Sequence, residues 1–470
     1  MNKSKELRVL SIDSILQVVL QIILLSITSH YVDPASYGVF SLAFLIINLI
    51  KNFGLSGISI SILRKKGEKH ISTIVGVVVV FTLFITTLLL FFNIQLVGVL
   101  NSPKSSESLF FLSIFLLVST LSLVLESYLV KVGRVLELAF ANLVTFVVNL
   151  TSFLVLVDVF PSLSAYLWLT YSYVLSVVVR FIVFAFFIAN KTHVFNPFRL
   201  KEVDEYKSTI KELVQVSSVS FVNSVALNVD SFLVSKYLGS GALGLYTRAY
   251  QINNYVSSIY SKVISKFGVK NYANCETKEE ISYNYKIIII ATGCISVFFA
   301  MSVSLGSPLI VELLFGNDWG GLTAPLKILS LSLIFRLLYK AGDTYQLTFG
   351  YMRVSFCFQI LLLSNVLIFV GFASQFSLEA VCYAILYAVG MQFFAMLIWS
   401  IFNGVIDLAF AFKFIVYLLF LNFIFYTVYF FFYDSIPLNG FSLSLFSLFL
   451  SQLIYFGVSY AIYKKAISWF

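Results

Sequence analysis

His30-Tyr-Val-Asp-Pro-Ala-Ser-Tyr-Gly-Val-Phe-Ser41 and Lys236-Tyr-Leu-Gly-Ser-Gly-Ala-Leu-Gly-Leu-Tyr-Thr247 align without a gap at an offset of 206 residues. Tyr31 and Gly38 recur as Tyr237 and Gly244, while Val32/Leu238, Phe40/Tyr246 and Ser41/Thr247 match in kind. A second pair follows in the same order: Glu126-Ser-Tyr-Leu-Val-Lys-Val-Gly133 lies over Asp343-Thr-Tyr-Gln-Leu-Thr-Phe-Gly350 at an offset of 217. Two ordered matches read as an internal duplication, and a repeat of this length decides the architecture. Chance likeness between apolar segments is the competing reading; the equivalent places of the two matches weigh against it.

The sequence around these matches is that of a membrane protein. Of 470 residues 60% are hydrophobic and 11% charged, with a mean hydropathy of +0.95, whereas soluble domains carry about a quarter charged residues. About 20 apolar residues cross a bilayer, and fourteen such spans are predicted: 9–29, 38–62, 71–92, 109–130, 135–157, 163–189, 213–236, 243–266, 286–306, 322–344, 354–373, 378–402, 412–433 and 441–463. The span 243–266 is the least apolar, carrying Arg248, Gln251, Asn253, Asn254, Lys262 and Lys266; the duplication requires it. Lys3, Lys5 and Arg8 precede a first span that is long and lacks a small-residue cleavage site, so it reads as a retained helix.

The net charge of +9 does not imply nucleic acid, because Lys and Arg recur between the spans and form no single stripe. Placing the N-terminus in the cytoplasm puts 23 of the 31 Lys and Arg on inner segments, while outer loops carry Asp33, Glu107, Asp158, Glu312, Asp318 and Asp434. The positive-inside rule then predicts both termini cytoplasmic. The expected organisation is all-α: an N-terminal lobe of six helices (1–190), a cytoplasmic interfacial linker (191–212), a C-terminal lobe of six (213–402), and two accessory helices (403–470). Leu200, Val203, Ile210 and Leu213 give the linker an apolar face. Parallel repeats related by an axis along the membrane normal are a transporter pattern. No cofactor or metal is expected, since His30, His70 and His193 fall in predicted loops and the four cysteines have no framework spacing.

Asp33-Pro-Ala-Ser-Tyr-Gly38 after the first span resembles the Pro-x-x-Tyr-Gly loop of bacterial polysaccharide exporters. So do Asp230-Ser-Phe-Leu-Val-Ser-Lys-Tyr-Leu-Gly239 with Leu243-Gly-Leu-Tyr246, and the Gly-x-x-Arg at Gly350 to Arg353. Together they resemble the O-antigen/capsule flippases (Wzx-type) of the multidrug/oligosaccharidyl-lipid/polysaccharide exporter superfamily, over nearly the whole chain in helix count and duplication. The resemblance implies a multi-pass protein of the bacterial plasma membrane. Its cargo would be an undecaprenyl-diphosphate-linked oligosaccharide, moved from the cytoplasmic to the outer leaflet by alternating access, for O-antigen, capsule or exopolysaccharide. It also implies polysaccharide polymerase and chain-length proteins as partners.

Charges inside a bilayer are costly and usually face a cavity or a partner. The deep ones are Lys51, Arg180, Arg336 and Lys340, with Arg248 nearer an outer end. Cations along a watery path suit a diphosphate, and the fork of Arg suits it best. Cavity lining and helix-to-helix pairing remain open for Arg180, and a local pair with Asp343 remains open for Lys340. Asp230, the clearest deep acid, reads as an ion-pair partner or a coupling residue. Ser41, Asn48, Asn52, Ser56 and Ser59 recur near helical spacing beside Lys51, as do Thr247, Gln251, Asn254, Ser258 and Lys262 in the second copy. These stripes read as facing walls of one cavity or as interhelical hydrogen bonds of about 1 kcal/mol each. A small-molecule antiporter of the same fold is the nearest alternative, and the basic character of the buried charges disfavours it. A membrane glycan polymerase or ligase is the alternative of another class; short outer loops and the lack of paired carboxylates, a phosphate-binding Gly loop or a nucleophile constellation argue against an enzyme.

Overall fold

The computed structural model describes residues 3–64, 69–189, 203–273 and 275–435, with 447, 448, 451, 452 and 455. The described residues are helical and contain no strand. They form two compact units, Met1–Gly244 and Leu245–Phe470.

The first unit begins with α1 (Lys3–Tyr31), α2 (Pro34–Arg64) and α3 (Lys69–Val99). The predicted span 109–130 is a bent pair, α4 (Ser105–Ile114) and α5 (Leu116–Lys131), turned by 50° at Phe115. Then come α6 (Val135–Val159), α7 (Ala165–Ile188) and the first part of α8 (Val203–Ala273). Within it α2 packs on α4, α5 and α7, and α6 packs on α7 and α1. Its core joins Ile58, Ile62, Ile71, Val75, Leu129, Leu138 and Phe184. Small hydroxyl residues let the helices approach closely, as is usual where lipid leaves no hydrophobic force between helices: Ser108, Ser113, Ser122, Ser127, Ser172 and Ser176 are all buried.

The duplicated motif has a structural counterpart here. Asp33 Oδ2 caps α2 by accepting from the amides of Ala35 (3.1 Å) and Ser36 (3.2 Å), with Pro34 as the first helical residue. The residue at the same place in the second copy is Gly239, whose φ of +83° breaks α8, a conformation that favours glycine. The two copies of the repeated glycine then meet reciprocally. A Cβ on Gly38 would lie 1.8 Å from the Ser240 carbonyl oxygen, and one on Gly244 would lie 1.9 Å from that of Pro34. Since 34 and 240, and 38 and 244, are equivalent under the 206-residue offset, this crossing repeats itself about a local pseudo-two-fold.

The second unit contains the rest of α8 and α9 (Lys278–Leu305), α10 (Ser307–Leu314), α11 (Thr323–Thr348), α12 (Met352–Ala373), α13 (Leu378–Phe402) and α14 (Leu408–Ser435). Here α11 is central, packed on α9 and α13, in a core with Tyr285, Val297, Leu337, Leu338, Phe393, Met396 and Phe414. α9 starts with a capping box: Thr277 Oγ1 accepts from the Glu280 amide while the Glu280 carboxylate accepts from the Thr277 amide. The expected outer loop 307–321 is not irregular, for it forms α10 and a 3-10 turn, Asn317–Leu322, that buries Trp319. Its apolar residues explain this, because Leu309, Val311 and Phe315 all find burial.

Among the described residues, ten helices are long and apolar enough to cross a membrane, or eleven if the bent α4–α5 pair is one span. Much of their surface faces outward; on α6 only 11% of the most apolar window is buried, as a lipid-exposed helix requires. The predicted span 441–463 and most of the linker 191–212 lie outside the described residues. Residues 203–212 belong to the helix that continues through the predicted span 213–236.

Candidate substrate-path residues

In the second unit α8 and α11 bring together a guanidinium and its polar partners. Arg336 on α11 lies with its guanidinium over the Tyr250 ring, 4.7 Å from the centroid. Its Nη2 donates to the Tyr250 hydroxyl (2.9 Å) and its Nη1 to Asn254 Oδ1 (3.1 Å). Asn254 is exposed and Tyr250 half-buried, so the group opens to a surface. Tyr250 and Asn254 are one turn apart on α8, which places both beside the same guanidinium. Stacking and two bonds fix the plane of the guanidinium fork. Lys340, one turn further along α11, is half-buried, and its backbone carbonyl accepts from Thr344 Oγ1. Asp343 instead accepts from Ser355 Oγ of α12.

Arg248 is buried, 4% exposed. It stacks over Trp319 at 5.8 Å and donates from Nη1 to Gln251 Oε1 (3.2 Å). It thereby fixes the turn 317–322 on α8. Gln251 serves Arg248, whereas Asn254, three residues on, serves Arg336.

In the first unit Arg180 sits in a network absent from the sequence expectations. Its Nη2 donates to Glu126 Oε2 on α5 (3.0 Å) and Asn142 Oδ1 on α6 (3.1 Å), and its guanidinium lies 5.3 Å from the Phe184 centroid. Asn142 Nδ2 donates onward to Asp13 Oδ2 on α1 (3.2 Å), which also accepts from Gln17 Nε2 (2.7 Å). Four helices are tied by one chain of bonds, with Asp13 itself buried. Lys51 lines a small hollow with Ser119, Tyr173 and Phe115, the residue at the α4–α5 bend. No described residue accepts a hydrogen bond from it. Asn48 and Asn52 stand half-buried on the same helix.

The ends of the α2 stripe have partners: Ser59 Oγ and Ser127 Oγ of α5 share a hydrogen bond of 2.8 Å, and Ser41 donates to the Gly38 carbonyl (3.0 Å). The side chain of Ser56 lies outside those described. Asp230, 2% exposed, accepts at Oδ1 from the Ser231 amide (2.7 Å) and hydroxyl (3.3 Å). No group of three or more His, Cys, Asp or Glu residues able to hold a metal ion occurs among the described residues.

Sequence reasoning missed Asp13, Glu126, Asn142, Tyr250 and Trp319. The acids carried a signal, since each is a charge within or beside an apolar run. Tyr250 carried none among 27 Tyr and 50 Phe, and Trp319, one of four Trp, stood in a predicted outer loop.

The arrangement of helices matches the fold of solved membrane flippases and transporters. The structure of the lipid II flippase MurJ in an inward closed conformation superposes with a TM-score of 0.76 over 96% of this chain and 98% of that one, at 14% identity. An inward-facing multidrug resistance MATE transporter of the MOP superfamily matches at 0.63, covering 84% and 98% at 15% identity. The Vibrio cholerae MATE transporter VcmN in its bent form matches at 0.57, covering 85% and 96% at 13% identity. None of the curated proteins matches. The family model described as "Polysaccharide biosynthesis protein" matches residues 29–324, more than half of the 470 residues, and the chain belongs to that family.

Proposed function

We propose that the protein flips an undecaprenyl-diphosphate-linked oligosaccharide from the cytoplasmic to the outer leaflet of the bacterial plasma membrane by alternating access of its two repeats, with both termini in the cytoplasm. The observation that carries this reading is Arg336, a guanidinium oriented by Tyr250 and Asn254 on an open face of a membrane-spanning helix. Planar bidentate donors match phosphate oxygens better than a point charge does. Lys51 and Lys340 add diffuse positive charge along the path, with Asn48, Asn52 and Gln251 as polar lining. Arg248 and Arg180 orient parts of that lining, and Asp230 is the coupling or ion-pairing acid. The lobes we assign are 1–190 and 213–402, with 403–470 accessory; polymerase and chain-length proteins would act on the released product. The MATE likeness is the observation favouring a second reading, export of small molecules, but a guanidinium-lined path repels the cationic drugs such a path would carry.

Deletion of the chain followed by analysis of lipid-linked glycan tests the proposal. Accumulation of complete repeat units facing the cytoplasm is expected. Single-unit glycan outside the cell would point to a polymerase defect, and unchanged lipid-linked glycan with raised drug sensitivity would favour small-molecule export.

A further inference from the structure

Two ridges of α9 change from charged to apolar over the same stretch. Lys278, Ser282, Lys286 and Ile290 form one ridge at i, i+4, i+8 and i+12; Glu279 and Ile287 lie on the neighbouring one. Both ridges border a hollow of about 380 Å³. The ridge from 278 to 290 runs about 18 Å along the helix at 1.5 Å per residue. Its polar end is stitched to the turn before α14: Ser282 Oγ donates to the Val405 carbonyl (2.7 Å), and Lys286 Nζ pairs with Asp407 Oδ2 (3.3 Å) while lying 5.4 Å from the Phe410 centroid. The hollow thus has an ionic mouth holding both signs of charge and an apolar floor at Ile287 and Ile290, on a helix long and apolar enough to cross a membrane.

We propose that this hollow is a binding site for a phospholipid with a phosphoethanolamine headgroup. Lys278 and Lys286 receive the phosphate, Glu279 receives the primary ammonium, and Ile287 and Ile290 lie along the upper acyl chain. The charges select the occupant. Two ammonium groups alone would favour any anionic lipid, but Asp407, paired with Lys286, and Glu279 on the adjacent ridge both disfavour a headgroup that is only negative, and Glu279 offers a partner to one bearing N–H donors. A choline headgroup presents no N–H donor, so it forgoes the charge-assisted bond. The site lies apart from Arg336 and its partners in function, so it does not depend on the identity of the cargo.

Native mass spectrometry of the full-length protein, delipidated and then titrated with dioleoyl phosphatidylethanolamine, phosphatidylglycerol or phosphatidylcholine, tests it. Ethanolamine lipid should bind about tenfold more tightly than choline lipid, the effect of one charge-assisted hydrogen bond. Glu279→Gln should erase the preference for ethanolamine over glycerol lipid, and Lys278→Gln should weaken both. Both residues are exposed, so the variants should keep the fold; an unchanged melting temperature in detergent verifies this. Equal binding of all three lipids, or a preference unmoved by both substitutions, would overturn the site. Glycerol lipid bound more tightly than ethanolamine lipid would overturn the assigned headgroup.

Discussion

Arg336 and Arg180 are both guanidinium groups within apolar spans, yet their neighbours give them different work. Arg336 stacks on Tyr250 and donates to the Tyr250 hydroxyl and to Asn254, both neutral groups. Arg180 faces the Glu126 carboxylate and, through Asn142, stands one bond from Asp13. Arg336→Ala should therefore lower glycan export strongly while the protein stays in the membrane at wild-type level. Arg336→Lys should recover only part of it, because a lysine keeps the charge without the fork; a loss of roughly tenfold or more is expected for a charged hydrogen-bonding partner. Quantitative blotting of surface glycan against protein level measures this. Arg180→Ala should act through stability, since removing one partner of a partly buried pair strands the other. The pair is about 30% exposed on both sides, so the double variant Arg180→Gln/Glu126→Gln should melt closer to wild type than either single variant. Thermal unfolding in detergent reads the cycle. The sequence shows that these charges are deep, because hydropathy measures depth. It does not show their partners, which lie 54, 82 and 86 residues away on other helices. A helical face is periodic and legible; the rotation of one helix against another is set by packing.

At the scale of elements, the spans were legible wherever apolar length alone decides, as in α3, α6, α7, α12 and α13. Two departures have physical causes. The α4–α5 bend at Phe115 falls inside a continuous apolar run, where hydropathy carries no mark of backbone direction, and the missing regularity shows only as a hollow beside Lys51. The stretch 307–321 contains charges and glycines that read as a loop, but Trp319 and Phe315 draw it into the core. The duplicated glycine is the reverse case, legible in sequence and explained by the fold. Gly38→Ala or Gly244→Ala places a methyl group against a backbone carbonyl that cannot turn aside, and helices that touch through glycine lose their packing when it is filled. Either variant should lower the yield of folded protein in fluorescence-detected size exclusion. Gly371→Ala, where a Cβ meets nothing, should leave it unchanged.

For the whole molecule, fold and family agree, while the proposed orientation rests on charge alone. With the N-terminus inside, a single cysteine introduced at Lys69 should resist a membrane-impermeant maleimide in intact cells and react after permeabilisation. Labelling in intact cells would reverse the assigned topology. The central claim is that this fold moves a diphosphate-linked glycan, and reconstitution tests it most directly. Purified protein is placed in vesicles with the lipid-linked glycan extracted from the deletion strain, and the glycan reaching the opposite leaflet is measured by its susceptibility to an added glycosidase. Wild-type vesicles should progressively expose the protected pool within the assay, whereas protein-free and Arg336→Ala vesicles should keep it protected. Equal protection in wild-type and protein-free vesicles would contradict the account.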